Sequence, residues 1–401
     1  MKKSNIITSI YALLTGARVN VVGQLFGSEI IAILFFPYTK TRQIFRQYPI
    51  LKKISLAYFL LLLSLIFSDL VVNNTAPEDF LRGWANIIFS FLTVVFLTYY
   101  LSKNEKNIPI YLFFAAISFF IFRPELIMSE HEGETSVFKF YYMFGVNFFI
   151  LILSYFIYNK NKRAALILLF SYSIFCLIFD SRSNGAIYFI SALAMTIKTF
   201  NIKLNKLRIT AFAILIILFS YIGYVIYVNE VLAGKFTGNN TQQLRQVENP
   251  YNPISLLEVG RAEFFFEIDV DSKKPIFGYG SWAEDKTGNT AKLFAKMIGS
   301  NSIDDSNLIP SHSILLTAWL WAGIGGLIAI MIIYCIIYKQ AFYLFYRSKS
   351  SILVVIIPLA LDQLWNFFFS PIGHLRQTAP LIFALIIIEY YNMQKEENTK
   401  L

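Results

Sequence analysis

The chain has 401 residues, of which 56% are apolar and only 15% charged, with a mean hydropathy of +0.55. A soluble domain is nearer a quarter charged, and 40 Phe with 24 Tyr exceed what one water-surrounded core of this length buries. A soluble enzyme is thereby excluded, and lipid is the expected solvent. The net charge of +10 points to no nucleic-acid partner, because basic residues collect in the cytoplasmic loops of membrane proteins.

The opening Met1-Lys2-Lys3 and the apolar stretch 6–14 look like a secretory leader. No small-residue cleavage site follows, so the segment is expected to remain as a first helix. Runs near the length of a membrane span fall at about 5–24, 25–40, 54–72, 84–101, 108–122, 138–158, 164–179, 184–199, 207–228, 313–338, 352–369 and 378–392. The fold class expected is therefore an all-α polytopic membrane protein of about 12 helices, with one large helical outer loop. Three stretches divide it: 1–228 with about nine spans, the loop 229–312, and 313–401 with three more.

Charge placement supports the count. With the N-terminus inside and the spans alternating, 21 Lys and Arg face the cytoplasm and six occupy the short outer turns. One miscounted helix would spoil that asymmetry, so both termini are expected to be cytoplasmic. Inside, Lys outnumbers Arg 16 to five; in the short outer turns Arg outnumbers Lys five to one. Arg presents a planar fork that grips phosphate in bidentate fashion, and Lys does not. The outer set is Arg18, Arg82, Arg123, Arg182 and Arg376. It reads either as anion-binding or as paired with the outer carboxylates Asp69, Asp79, Glu125 and Asp180.

The outer loop is too long for a simple connection. Its stretch 255–270 repeats apolar residues near helical spacing around Glu258, Arg261, Glu263 and Glu267, and 291–298 is a second amphipathic piece. Both are expected to lie on the membrane surface or to cap the bundle. Neither an internal repeat nor the paired broken helices of a transporter can be read from the chain.

Few residues are suited to chemistry. His312, in Pro310-Ser311-His312-Ser313, sits where the long loop re-enters the membrane. An imidazole there can accept a proton near neutral pH, or it can be structural. The three histidines, 131, 312 and 374, lack metal-ligand spacing, and the two cysteines, Cys176 and Cys335, lie in apolar runs, so neither a metal nor a cofactor is implied. Arg182 occupies the turn Asp180-Ser181-Arg182-Ser183-Asn184-Gly185 at a helix N-terminus, which favours an anion, or pairs with Asp180. Arg261 is an anion ligand or part of a solvated face, and Arg82 follows an acidic turn that offers it partners. Asp269-Val270-Asp271 matches a short metal-binding pattern that is common by chance. Asp362 is an acid well inside an apolar run, where such residues are often functional. Gly323-Ile324-Gly325-Gly326 reads as close helix packing.

Together these pieces resemble the bacterial O-antigen polymerase and ligase family (Wzy- and WaaL-like integral membrane glycosyltransferases). The match is carried by Ser68-Asp69…Arg82-Gly83-Trp84, by Asp180-Ser181-Arg182-Ser183-Asn184-Gly185-Ala186, by Arg261 followed by Pro275-Ile276-Phe277-Gly278-Tyr279-Gly280, and by His312-Ser313…Trp321-Ala322-Gly323-Ile324-Gly325-Gly326-Leu327. Each motif is degenerate, and their joint order and sidedness carry the specificity. Many relatives have Gly directly after the Arg, where this chain has Ser183.

The resemblance implies a metal-independent, inverting transfer on the periplasmic face, from a glycan on undecaprenyl pyrophosphate to the sugar of another lipid-linked unit. It implies His312 as the base and Arg182, Arg261, Arg82 and Arg376 as pyrophosphate ligands, with Arg123, Tyr279 and Asp180 as further substrate contacts. The partners it implies are lipid-linked donor and acceptor, the bilayer, and a chain-length regulator protein. Within the family the segment from Ser68 to Trp84 favours a polymerase over a ligase that passes glycan to lipid A core or protein. The alternative of another class is a flippase of the same lipid-linked units, against which the long outer loop argues.

Overall fold

The structure, a computed structural model, describes residues 2–21, 23–122, 138, 142–179, 181–202, 206–234, 244, 247, 249–255, 262–285 and 308–399. Arg123, Asp180 and Arg261, with the expected piece at 291–298, lie outside the described residues.

Each of the twelve apolar runs contains a helix. In chain order these are α1 (Lys3–Leu13), α2 (Gly27–Leu34), α4 (Ile50–Phe67), α5 (Pro77–Ser102), α6 (Asn107–Phe122), α7 (Met143–Lys160), α8 (Lys162–Ile178), α9 (Arg182–Thr199), α10 (Lys206–Leu232), α12 (Ile314–Arg347), α13 (Leu353–Phe369) and α15 (Ala379–Asn398). Among the described residues three more α-helices lie between them: α3 (Thr41–Gln47), α11 (Ala262–Asp271) and α14 (Gly373–Gln377). Four segments among the described residues are long and apolar enough to cross a membrane: Ile50–Asn73, Pro77–Ser102, Met143–Lys160 and Ile314–Arg347. Asn107–Phe122 and Leu353–Phe369 are apolar but shorter.

The N-terminal segment departs from the sequence expectation. Two helices over 5–24 and 25–40 were expected; α1 has 11 residues and α2 has eight, or about 16 and 12 Å at 1.5 Å per residue. Neither alone crosses a hydrocarbon core of about 30 Å. Between them an antiparallel hairpin, β1 (Arg18–Val21) and β2 (Gly23–Phe26), pairs Arg18 with Phe26 and Asn20 with Gln24. The β-branched Val19 and Val21 favour strand over helix.

One end of the bundle is marked by Asn104 Nδ2 donating to Asn5 Oδ1 at 3.3 Å, Tyr100 Oη donating to the Phe35 carbonyl at 2.9 Å, and Ser348 Oγ donating to Glu389 Oε1 at 3.0 Å. The other end holds the hairpin, where Gly16 N–H donates to Ser118 Oγ at 2.8 Å and Gly23 packs on the Arg82 stem. The main apolar core runs from Ile7 to Met393 and takes in Phe266, Val270, Ala283 and Ile309 of the long loop, and a small separate cluster gathers Val228, Val231 and Leu244. α12 packs along α4 at its centre, α9 along α8 and α13, and α15 along α5.

Candidate functional site

Three of the motifs singled out in the sequence meet physically, and what they build is a clamp. The last turn of α4 widens into a π-helical turn, Ser68–Asn73, that ends on the left-handed Asn74. The turn buries Asp69 completely. Its Oδ1 accepts Ser281 N–H at 2.6 Å; its Oδ2 accepts Ser281 Oγ at 2.8 Å and Trp84 Nε1 at 2.9 Å. Gly83 faces the same serine so closely that a Cβ would lie 2.0 Å from its hydroxyl. Asp69 is thus a structural acceptor rather than an arginine partner.

The strand of loop leading to Ser281 threads a break in α12. Gly323 adopts φ 64°, ψ −159° inside that helix, a conformation open to glycine. A Cβ there would lie 2.1 Å from the Ile276 carbonyl. The break leaves carbonyls without helical donors, and the loop supplies them. Tyr279 N–H donates to Leu320 O at 2.6 Å and Gly280 N–H to Trp321 O at 3.1 Å, while Ile324 N–H donates to Ile276 O at 3.2 Å. Close helix packing at Gly323–Gly326 was expected; Gly325 does meet Ser64, but Gly323 admits the loop.

Beyond the clamp the chain is led to His312. Ile309 N–H donates to Ala283 O at 2.9 Å, and Glu284 forms a bridge with Leu308. Glu267, fully buried on α11, accepts the His312 backbone N–H through Oε2 at 3.2 Å. Its Oε1 lies 3.3 Å from Thr317 Oγ1 in the first turn of α12. Ser313 caps that helix by accepting Leu316 N–H at 3.2 Å.

His312 lines a cavity of about 590 Å³ between α1, α7, α9 and α13, together with Ser183, Asn184, Asp362, His374 and Arg376. A second cavity, of about 990 Å³, adjoins it: Phe26, Arg376 and Gln377 belong to both. The second is walled by Leu25, Leu81, Phe89, Trp282 and Trp321, and Arg82 lies in it. Both volumes fall in the range of small-molecule sites.

The arginines differ in their commitments. Arg376 grips Glu29 in bidentate fashion, donates to Gln24 O at 2.8 Å, and stacks between Phe26 and Phe89 at 5.0 and 5.3 Å. Arg82 lies 3.6 Å from Asp79 and 3.9 Å from Glu78 on its own helix, so the acidic turn offers it loose partners, as expected. Arg182 is the first residue of α9 and sits over the Tyr227 ring at 5.2 Å; it lines neither cavity, whereas Ser183 and Asn184 beside it line the first.

The aspartate pair splits. Asp269 is exposed and pairs with Lys273 at 2.8 Å, whereas Asp271 is buried with neither oxygen hydrogen-bonded. Two residues apart on a helix, they point to different sides, and no metal-ligating cluster occurs among the described residues. Burial pushes the Asp271 carboxyl up to about 8. Tyr279 donates from Oη to Val270 O at 3.2 Å, and burial raises its phenol above the usual range. Sequence reasoning gave neither Glu29 nor Glu267 a role in the site: Glu29 shows only as a lone acid in an apolar run, and Glu267 only as one of several acids on an amphipathic piece.

No protein-family model matches the chain, and none of the curated proteins matches it significantly in sequence.

Proposed function

We propose that this protein is a bacterial membrane glycosyltransferase that polymerises undecaprenyl-pyrophosphate-linked repeat units at the periplasmic face. The observation that carries the reading is the pair of adjoining cavities. One has mixed walls, its polar groups including His312, Asp362 and Asn366; the other is walled mainly by apolar side chains and contains Arg82; they meet at Arg376. A lipid-linked sugar has the same division, with a glycan, a pyrophosphate and an apolar tail.

In the proposed reaction the acceptor hydroxyl loses its proton to His312, and its oxygen attacks the anomeric carbon of the donor. A new carbon–oxygen bond forms there as the bond to pyrophosphate breaks, and attack from the opposite face inverts the centre. The leaving pyrophosphate carries the electron pair away. Arg82, in the second cavity, stabilises its charge without a metal, and Arg182 and Arg261 do so as the resemblance implies. The hydrogen bond from the His312 backbone to Glu267 and the cap at Ser313 hold the backbone that carries His312 at the start of α12.

The test is a gel of surface polysaccharide from a strain lacking this protein, beside one carrying the intact gene, in a Gram-negative host with an O-antigen. Loss of the ladder, leaving core capped with one repeat unit, is the expected result. Bare core with lipid-linked polymer accumulating would move the same residues to a ligase, and an unchanged ladder would remove the reading.

A further inference from the structure

The α13 wall of the His312 cavity carries a polar stripe that proton transfer and pyrophosphate binding leave unused. Asp362, Asn366 and Ser370 follow at four-residue spacing, which puts them on one face, and His374 continues the spacing into α14. The stripe is bonded along its length: Asn366 Nδ2 donates to Asp362 Oδ2 at 3.0 Å, and Ser370 Oγ donates to Asn366 Oδ1 at 2.7 Å. All four residues line the cavity. From α7 and α9 the same cavity receives Asn147 and Asn184, whose carboxamides are joined at 3.2 Å.

Polar side chains within apolar helices are costly, and when they serve packing alone they bond across to a neighbouring helix. Here Asn147 and Asn184 do bond across helices, whereas the side chains of Asp362, Asn366 and Ser370 bond along their own segment and face open space. No Lys or Arg among the described residues lies within ion-pair distance of Asp362. The Arg376 fork in the same cavity is held by Glu29.

We propose that this wall is a carbohydrate subsite that takes a neutral or amino-bearing sugar ring and excludes a sugar acid, an assignment that rests on the glycosyl-transfer reading. Neighbouring hydroxyls of a sugar can donate together to the Asp362 carboxylate, and each carboxamide both donates and accepts. Trp365, which also lines the cavity, offers an aromatic surface to the ring's C–H face. A hexuronic acid seated on this wall would set its own carboxylate against Asp362, which pairs with no Lys or Arg among the described residues. The arginines of the cavity, Arg18 and Arg376, are bonded to Gln24 and Glu29. The sugar joined at the growing bond is therefore uncharged or basic.

The experiment uses the purified full chain in lipid nanodiscs. Methyl glucoside, methyl glucosaminide and methyl glucuronide are titrated by saturation-transfer NMR, with undecaprenyl phosphate binding as the control for folding. The first two are expected to bind, with the glucuronide weaker by about tenfold or more. Asp362→Asn, which keeps the shape, should bring the glucuronide to within about twofold of the glucoside. Asn366→Ala and, independently, Ser370→Ala should weaken the neutral sugars while lipid binding is retained. Equal binding of all three sugars to the wild type, or discrimination unchanged in Asp362→Asn, would overturn the subsite. So would a protein that binds the lipid and none of the sugars, and the transfer reading would then survive alone. Selective sugar binding by a protein whose deletion leaves the polysaccharide ladder unchanged would keep the subsite and remove the transfer reading.

Discussion

At the scale of single residues, the outer arginines separate by what already holds them. Arg376 and Glu29 form a buried pair, with side chains 9% and 3% exposed. Removing one partner of such a pair strands the other charge, at a cost of about 3–5 kcal/mol. Glu29→Ala is therefore expected to lower the unfolding midpoint of the detergent-solubilised protein far more than Glu78→Ala, whose partner Arg82 sits 3.9 Å away in a more exposed pair. Similar midpoints would show the buried pair to be dispensable. Arg182→Lys keeps the charge and loses the fork, so polymer formation is expected to fall about tenfold or more while the protein still inserts. Wild-type chain lengths in that variant would reduce Arg182 to a point charge.

Asp271 carries a pH dependence of its own. Its carboxyl titrates at about 8 in the folded protein, against 3.8 for the unperturbed group. Between those values the folded state keeps a proton that the unfolded chain has lost. Stability thus falls as pH rises through that window and levels off on either side. Asp271→Asn is expected to flatten the dependence of the thermal midpoint on pH; parallel curves for the two proteins would contradict it. This aspartate was legible in the sequence only as half of a metal-like pattern. Helical geometry at a spacing of two residues is what separates it from Asp269.

Among the elements, the clamp decides whether the loop can present His312 at all. Asp69 accepts three donors from Ser281 and Trp84. Asp69→Ala would leave buried donors unmet, each costing about 1–3 kcal/mol. Gly323→Ala would drive a Cβ into the Ile276 carbonyl. Both variants are expected to free the strand at 276–281 to proteases that leave the wild type intact, and to lose activity although neither residue lines the cavity with His312. Protection equal to wild type would show that the clamp is not what holds the loop.

The resemblance rested on these very motifs, and their order along the chain was legible. Their meeting was not, because the contact between 276–280 and the broken α12 joins segments whose spacing carries no periodic signal. The hairpin at 18–26 was hidden for another reason: apolar content called it a helix, and the competing signal was the β-branched Val19 and Val21 ahead of Gly23. The stripe from Asp362 to His374 was legible as a four-residue repeat of polar residues within an apolar run, yet only Asp362 stands out when residues are taken one at a time.

For the molecule as a whole, composition pointed to a membrane, and each apolar run contains a helix, although the first two hold short helices flanking the hairpin. The sidedness rests on the asymmetry of 21 basic residues against six and is open to direct test. In a variant lacking Cys176 and Cys335, a cysteine at Val21, a residue 73% exposed near the hairpin turn, should react with a membrane-impermeant maleimide from the periplasmic side. A cysteine at Lys349, which follows α12 at the opposite end, should react only after lysis. The reverse pattern would invert the topology and move His312 to the cytoplasm.

The central claim is a metal-free transfer in which His312 takes the proton. The most direct measurement is polymer formation by the purified protein from undecaprenyl-pyrophosphate-linked repeat units, with EDTA present, for the wild type and for His312→Ala. The expected result is a ladder of products from the wild type in EDTA and none above background from the variant. A wild type silenced by the chelator, or a His312→Ala protein that polymerises normally, would contradict it.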